Sequence, residues 1–283
     1  MKKNTKKKLK KFSLKVLKGL AKLIFVYPAK GIWWLIKKLF KKSKQSIKEV
    51  KKKKEKKKIQ DKRPEVKANY DELKEISNKK GDFIKFRKKL YSNKSTIGII
   101  LGARGTGKSA IGMRLLENFK VKTKKSIYAL GFKEESLPKW IKVINDIEEI
   151  KNDAVILIDE GGIEFSSRDA MSEGNKLLSE ILLIARHKDL SVMFIAQNSA
   201  NLEINAIRQT DYLVLKPSSL LQKDFERKKI KEIYQKVDED FEELSNDKGL
   251  TYLYADTYRG FVSNTLPSFW SDKVSKGYAH RKK

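Results

Sequence analysis

Cysteine is absent from all 283 residues, which excludes disulfides and thiolate metal sites and suits a reducing compartment. Histidine is nearly as scarce, and the two present, His187 and His280, do not make a metal site. Acidic residues are few where basic ones are many. Residues 1–94 hold 35 Lys and Arg against 8 Asp and Glu, which places +27 of the chain's +30 formal charge there and leaves +3 on residues 95–283. A clean apolar run long enough to cross a bilayer is also missing. The most apolar window, Leu20–Ile36, is broken by Lys22, Pro28 and Lys30, and each lysine near a bilayer centre costs about 3 kcal/mol. Lysines interrupt the apolar stretch and no small-residue cleavage site follows, so no secretory signal is expected.

What is present in residues 1–42 fits an interfacial helix better than a span. Lys15, Lys18 and Lys22 recur among Leu14, Leu17, Leu20, Leu23 and Ile24, and Trp33 and Trp34 suit the headgroup boundary. Residues 43–90 read as a lysine-rich linker followed by a helix. Lys41–Arg63 has too little apolar content for a core, and Tyr70, Leu73 and Ile76 then return at helical spacing. Such a cationic extension seeks a polyanion, either nucleic acid or an anionic membrane face. The body is expected over residues 91–283.

Within the body, apolar runs at Thr96–Leu101, Ser126–Leu130, Ala154–Ile158, Ser191–Ala196 and Asp211–Leu215 read as strands. Helical stretches fall at Lys108–Phe119, near Pro138–Ile150, at Ser172–His187 and at Leu202–Arg208. Strands that are apolar throughout and alternate with helices indicate a parallel sheet covered on both faces. Beyond Lys216, residues 224–245 form one amphipathic helix and "TYLYADTYRGFV" reads as a β-hairpin.

The chemistry begins at Gly102–Ser109, which satisfies G-x-x-x-x-G-K-[ST] between a strand and a helix. There the backbone N–H groups of Gly102, Ala103, Arg104, Gly105, Thr106, Gly107 and the helix start through Ala110 would face phosphates. Lys108 would reach the β and γ oxygens, and Ser109 would ligate Mg²⁺. In "AVILIDE", Asp159 ends an apolar strand as a second metal ligand. Glu160 is placed to orient and deprotonate an attacking water, which favours ATP hydrolysis over transfer to an acceptor. Gln197 ends the strand "SVMFIAQ" as a candidate contact to the γ-phosphate or the water. Arg186 and Arg208 are candidates for reaching a neighbouring subunit's nucleotide, since a guanidinium stabilises charge on a transferred phosphoryl group.

"GARGTGKS", "ILIDEGG", "ARHKDLSVMFIAQ" and "NAIRQTDYLVLK" together resemble the HerA/FtsK superfamily of P-loop ATPases. Within it they are most similar to the zonula occludens toxin-like assembly ATPases of filamentous phages and to viral genome-packaging ATPases. The resemblance covers about Ser95–Lys216. It implies an additional-strand, RecA-like α/β sandwich using ATP and Mg²⁺, and a homo-oligomeric ring, often of six subunits, that moves DNA. Its roles fall on Lys108, Ser109, Asp159, Glu160, Gln197 and Arg186. Virion or portal proteins become candidate partners, at the cytoplasmic face of a membrane or in a virion. The chain departs from chromosome translocases in lacking a large DNA-reading domain, and from the phage assembly proteins in lacking a convincing transmembrane helix. A membrane-anchored ATPase that drives virion or protein assembly is the alternative, and a non-hydrolysing nucleotide switch is a third reading that Glu160 opposes.

Overall fold

The computed structural model describes residues 59–162, 170–202 and 204–275. The expected interfacial segment 1–42 and the first part of the linker lie outside the described residues. No helix among the described residues is long and apolar enough to cross a membrane.

The residues from Lys62 onward form one compact unit around a nine-stranded sheet ordered β1-β9-β8-β7-β2-β6-β5-β3-β4. Its strands are β1 (Lys74–Gly81), β2 (Thr96–Leu101), β3 (Ser126–Leu130), β4 (Lys142–Ile144), β5 (Ala154–Asp159), β6 (Leu190–Ile195), β7 (Tyr212–Leu215), β8 (Thr251–Ala255) and β9 (Tyr258–Ser263). Strands β7, β2, β6, β5, β3 and β4 are mutually parallel, and β8, β9 and β1 extend the sheet beyond β7, each antiparallel to the strand before it. The central strands β2, β5 and β6 are buried along their whole length, as strands covered on both faces must be.

The helices are α1 (Phe83–Ser92), α2 (Lys108–Lys122), α3 (Ala170–His187), α4 (Ile204–Arg208), α5 (Leu220–Phe225), α6 (Lys228–Glu243) and α7 (Asp272–Ser275). One core layer joins the sheet to α3 and α6 through Leu178, Ile181, Ile230, Tyr234 and Phe241. The other joins it to α1 and α2 through Phe83, Phe86, Leu90, Ile111, Leu115 and Phe119. The result is the three-layer α/β sandwich of a P-loop NTPase. One strand, β6, lies between the loop strand β2 and the Asp159 strand β5, which is the additional-strand arrangement expected from the sequence.

Two local expectations give way. Pro138–Ile150 is not a helix. It holds β4 and a single 3-10 turn at Ile147–Glu149. Ile141, Ile144, Ile147 and Ile150 are buried at three-residue spacing, which imitates a helical stripe, while the Asp146 side chain caps the turn by accepting from Glu148 N at 2.9 Å. Nor are residues 62–90 a linker and helix leading up to the body. Residues 74–81, in which Ile76 continues the helical spacing of Tyr70 and Leu73, form β1 paired along β9, and α1 buries Phe83, Phe86 and Leu90 against the sheet. Asp82 starts that helix by accepting from Lys85 N at 3.0 Å.

Two straps cover the outer face of α2. Buried Glu117 accepts from Asn69 N and Ser268 N, both at 3.0 Å, and pairs with Arg114 at 2.8 Å. Arg114 also donates to the carbonyls of Asn69, Thr265 and Leu266. Asn118 and Asp71 exchange two bonds. The strap is continued at its N-terminal end by buried Arg63, which donates to the carbonyls of Leu137 and Pro138 at 3.0 and 2.6 Å.

Candidate functional site

The parallel register brings the C-terminal ends of four strands to one edge. Leu101 lies opposite Leu215 and Asp159 opposite Ile195, so the loop after β2, the carboxylates after β5, Gln197 after β6 and the chain after β7 share that edge. The loop from Gly102 to Gly107 needs its glycines. Gly102 has φ 146°, and a Cβ there would meet the Lys216 Cβ at 2.5 Å. Gly107, with φ 90°, is the residue preceding the first turn of α2. The loop is tied to the end of β7 by Ala103 N donating to Pro217 O at 2.9 Å and Lys216 N donating to Leu101 O at 2.8 Å. Arg104 and Gly105 are exposed at its tip, and Ala110 is buried in the first turn of α2.

Lys108 folds back over the loop, donating to Gly102 O at 2.7 Å and Ala103 O at 2.9 Å. Burial pulls its pKa below the usual lysine value, against the pull of Asp159. Ser109 Oγ donates to Asp159 Oδ2 at 3.0 Å, and Gly161 N donates to Oδ1 at 3.1 Å. Burial holds the Asp159 carboxyl above the ordinary carboxylate range despite those bonds. Glu160 is shifted upward too, by burial first and by the Asp159 charge second.

The Ser109 and Asp159 oxygens suit a magnesium ion. Two adjacent ligands of an octahedral Mg²⁺ at about 2.1 Å stand about 3 Å apart, and such ions are held by one or two protein oxygens completed by phosphate and water. Among the described residues no group of three or more His, Cys, Asp or Glu side chains is placed to hold a metal, so the donor set fits that mode rather than an all-protein cage.

Gln197 is exposed at the same edge, and its backbone is fixed from below. Gln222 Nε2 donates to Gln197 O at 2.7 Å and to Glu226 Oε1 at 2.9 Å. Glu226 Oε2 accepts from Ser199 N at 2.7 Å and from Ser199 Oγ, and the Arg227 guanidinium bonds the carbonyls of Ser199 and Leu202. Arg186 and Arg208 are not brought to this edge. Each lies in the last turn of a helix just before the start of β6 or β7 and is exposed there, at the end of the strand opposite the loop, a strand rise of about 13–20 Å away. Neither reaches the loop of its own chain.

Sequence reasoning missed Lys216, Gln222, Glu226 and Arg227. Lys216 is buried and donates from Nζ to Gly249 O at 2.9 Å and to Leu250 O and Asn264 Oδ1 at 3.1 Å. Burial pushes its pKa down to about 7. A lysine closing the wholly apolar strand "YLVL" was the available signal.

The fold and the loop together define a P-loop nucleotide-binding domain. No protein-family model matches the sequence, and no curated protein matches it. Among solved structures, the genome packaging NTPase B204 from Sulfolobus turreted icosahedral virus 2 is similar at 16% identity, over 62% of this chain and 100% of that one, with a TM-score of 0.39. The pCW3 conjugation coupling protein TcpA is similar at 13% identity over 75% of this chain and 71% of that one, with a TM-score of 0.40. The cytoplasmic domain of the Thermomonospora curvata type VII secretion ATPase EccC shares 15% identity over 67% of this chain and 29% of that one, with a TM-score of 0.41. At these values the chemical reading of the site rests on the chain's own geometry.

Proposed function

We propose that the chain is an ATP-hydrolysing motor of the HerA/FtsK kind, acting on DNA in genome packaging or transfer. The observation that carries hydrolysis is the shared edge at which the Ser109–Asp159 pair, Glu160 and Gln197 surround the P-loop. Backbone N–H groups from Gly102 to Ala110 bind the phosphates, and Lys108 exchanges its loop carbonyls for phosphate oxygens. Ser109 and Asp159 would hold Mg²⁺, which would supply neutralisation of phosphate charge. Glu160, directly after Asp159 at the strand end, accepts the proton of the attacking water, and Gln197 orients that water or the γ-phosphate. Arg186 or Arg208 reaches the nucleotide of the next subunit in a ring, a reading favoured by their distance from their own loop.

DNA as the transported polymer is supported by the family resemblance of the motifs and by the +27 charge of residues 1–94. The aromatic part of that extension, residues 12–42, lies on an anionic membrane face, and the lysine-rich part contacts phosphate backbones. The deciding experiment is ATP turnover by the full chain and by a chain beginning at Lys62, each with and without duplex DNA. Strong stimulation in both supports a DNA motor whose extension is a tether. Turnover indifferent to DNA in both refutes translocation and favours the protein-assembly alternative. No turnover in either refutes the hydrolytic reading.

A further inference from the structure

Charge on the folded body is uneven. Residues 74–94, which form β1, α1 and the turns beside them, hold eight Lys and Arg against two acidic residues, a net +6, whereas residues 95–283 net only +3. The ion pairs in this stretch are Lys79–Asp240 and Arg87–Glu72. Exposed Lys80, Lys85, Lys88 and Lys89 therefore have no carboxylate partner among the described residues. The end of α2 adds exposed Lys120, Lys122 and Lys124 in the same layer of the sandwich, where Tyr91 of α1 meets Phe119 of α2 edge-on at 4.9 Å. In the opposite layer the sign reverses, with five carboxylates in α6 between Asp238 and Glu243.

A lysine in the last turn of a helix complements its dipole, which accounts for Lys89, Lys120 and Lys122 taken singly. It does not account for Lys85, which stands in the first turn of α1, where a cation is disfavoured. Nor does it account for the apolar side chains set among these lysines. Ile84 is 68% exposed and Val121 46%. Ile84 and Lys88 stand four residues apart, as do Lys85 and Lys89, so the four share the outer face of α1, away from buried Phe83, Phe86 and Leu90. One exposed isoleucine is ordinary. Two such residues in one layer, each bordered by lysines without carboxylate partners, make a surface that is cationic and apolar at once. A nucleic-acid backbone meets only the cationic part, whereas the headgroup boundary of an anionic bilayer meets both.

We infer that the outer surface of α1 and the end of α2 seats the folded body on an anionic lipid surface, with Ile84 and Val121 at the headgroup boundary and the lysines on lipid phosphates and carboxylates. The choice of lipid rests on the membrane reading of residues 12–42 given above, and the test separates the two. The chain has no cysteine, so one introduced thiol is a unique site for an environment-sensitive dye. Full-length Ile84→Cys, Val121→Cys and Leu183→Cys are labelled and mixed with vesicles of phosphatidylcholine, with or without phosphatidylserine, and flotation is measured in parallel. Leu183 is 71% exposed on α3 in the other layer and serves as the control. The dyes at 84 and 121 should brighten and shift to the blue on phosphatidylserine vesicles alone, and the dye at 183 should stay silent. Each lysine at such a surface is worth about fivefold in binding, so Lys85→Gln, Lys88→Gln and Lys89→Gln together should weaken seating on the order of 100-fold. They should silence the dye at 84 while the chain still floats. A chain that floats with the dye at 84 silent, with equal response at 183, or with a response that survives the three substitutions, overturns the seating and leaves the extension's membrane reading intact. A chain that does not float refutes both. A dye at 84 that responds to duplex DNA and not to vesicles gives the surface to nucleic acid and overturns the proposal.

Discussion

Phe86→Ala tests whether residues 62–90 belong to the motor domain or merely precede it. Phe86 is 5% exposed, and its ring lies edge-on to Tyr212 at 5.9 Å, beside Tyr258 at 6.2 Å and Phe83 at 6.5 Å. Truncating a buried phenylalanine costs about 3–5 kcal/mol through lost transfer energy and the cavity left behind. Aromatic pairs put the value in the upper part of that range, since each is worth about 0.5–1.5 kcal/mol beyond area. The control sits two residues away on the same helix. Ile84 is 68% exposed, and surface substitutions of that kind stay within about 0.5 kcal/mol. Urea unfolding followed by tryptophan fluorescence should place the Phe86→Ala midpoint about 1–2 M below the native one, taking a slope of about 3 kcal/mol per M. Ile84→Ala should move it by no more than about 0.2 M on the same slope. Equal midpoints for the two variants would show that α1 is not part of the core, and would restore a boundary near Tyr91.

Glu160→Gln should retain nucleotide binding and hydrolyse ATP at least ~100-fold more slowly, since a positioned base is worth 10²–10⁴ in rate; near-native turnover in a coupled assay removes the assigned base. Glu226→Ala should lower kcat about tenfold or more with little change in KM, because it releases Ser199 N and Gln222 and with them the backbone of Gln197. A change confined to KM, or none at all, would break the link between that buried carboxylate and Gln197. Lys216 carries a pH signature of definite sign. Its pKa falls from 10.5 to about 7 on folding, so between about pH 7 and 10 the unfolded chain holds the extra proton and stability rises with pH, by up to about 1.4 kcal/mol per unit. Below about pH 7 this contribution is flat. Lys216→Met should lack the slope, and parallel stability–pH curves for the two chains would contradict the assignment.

The parallel strands could be read from the chain because each is a continuous apolar run, β2, β5 and β6 being buried at every residue, and such runs have few alternatives between helices. The same holds for Gly102–Ser109, Asp159 and Gln197, whose places follow once those strands are set side by side. The misreadings arise where a local pattern and the distant pairing disagree. Four isoleucines three apart imitate a helix at 138–150, and β1, with the sequence "KEISNKKG", has almost no apolar pattern and exists by pairing with β9 some 180 residues later. Charged residues hid the rest. Arg63, Arg114, Glu117, Lys216 and Glu226 are all buried, although single charges in a lysine-rich chain read as surface. Each of them bonds backbone groups of a segment remote in sequence: the stretch before β4 for Arg63, the two straps on α2 for Arg114 and Glu117, the residue pair before β8 for Lys216, and the turn after Gln197 for Glu226. Burying a charge is tolerated when polar partners surround it, and for Arg114, Glu117, Lys216 and Glu226 those partners pack on α2, beside the P-loop strand end, or after Gln197. Four of the charges invisible to pattern reading, Arg114, Glu117, Lys216 and Glu226, therefore hold the loop, its helix and the backbone of Gln197 in place.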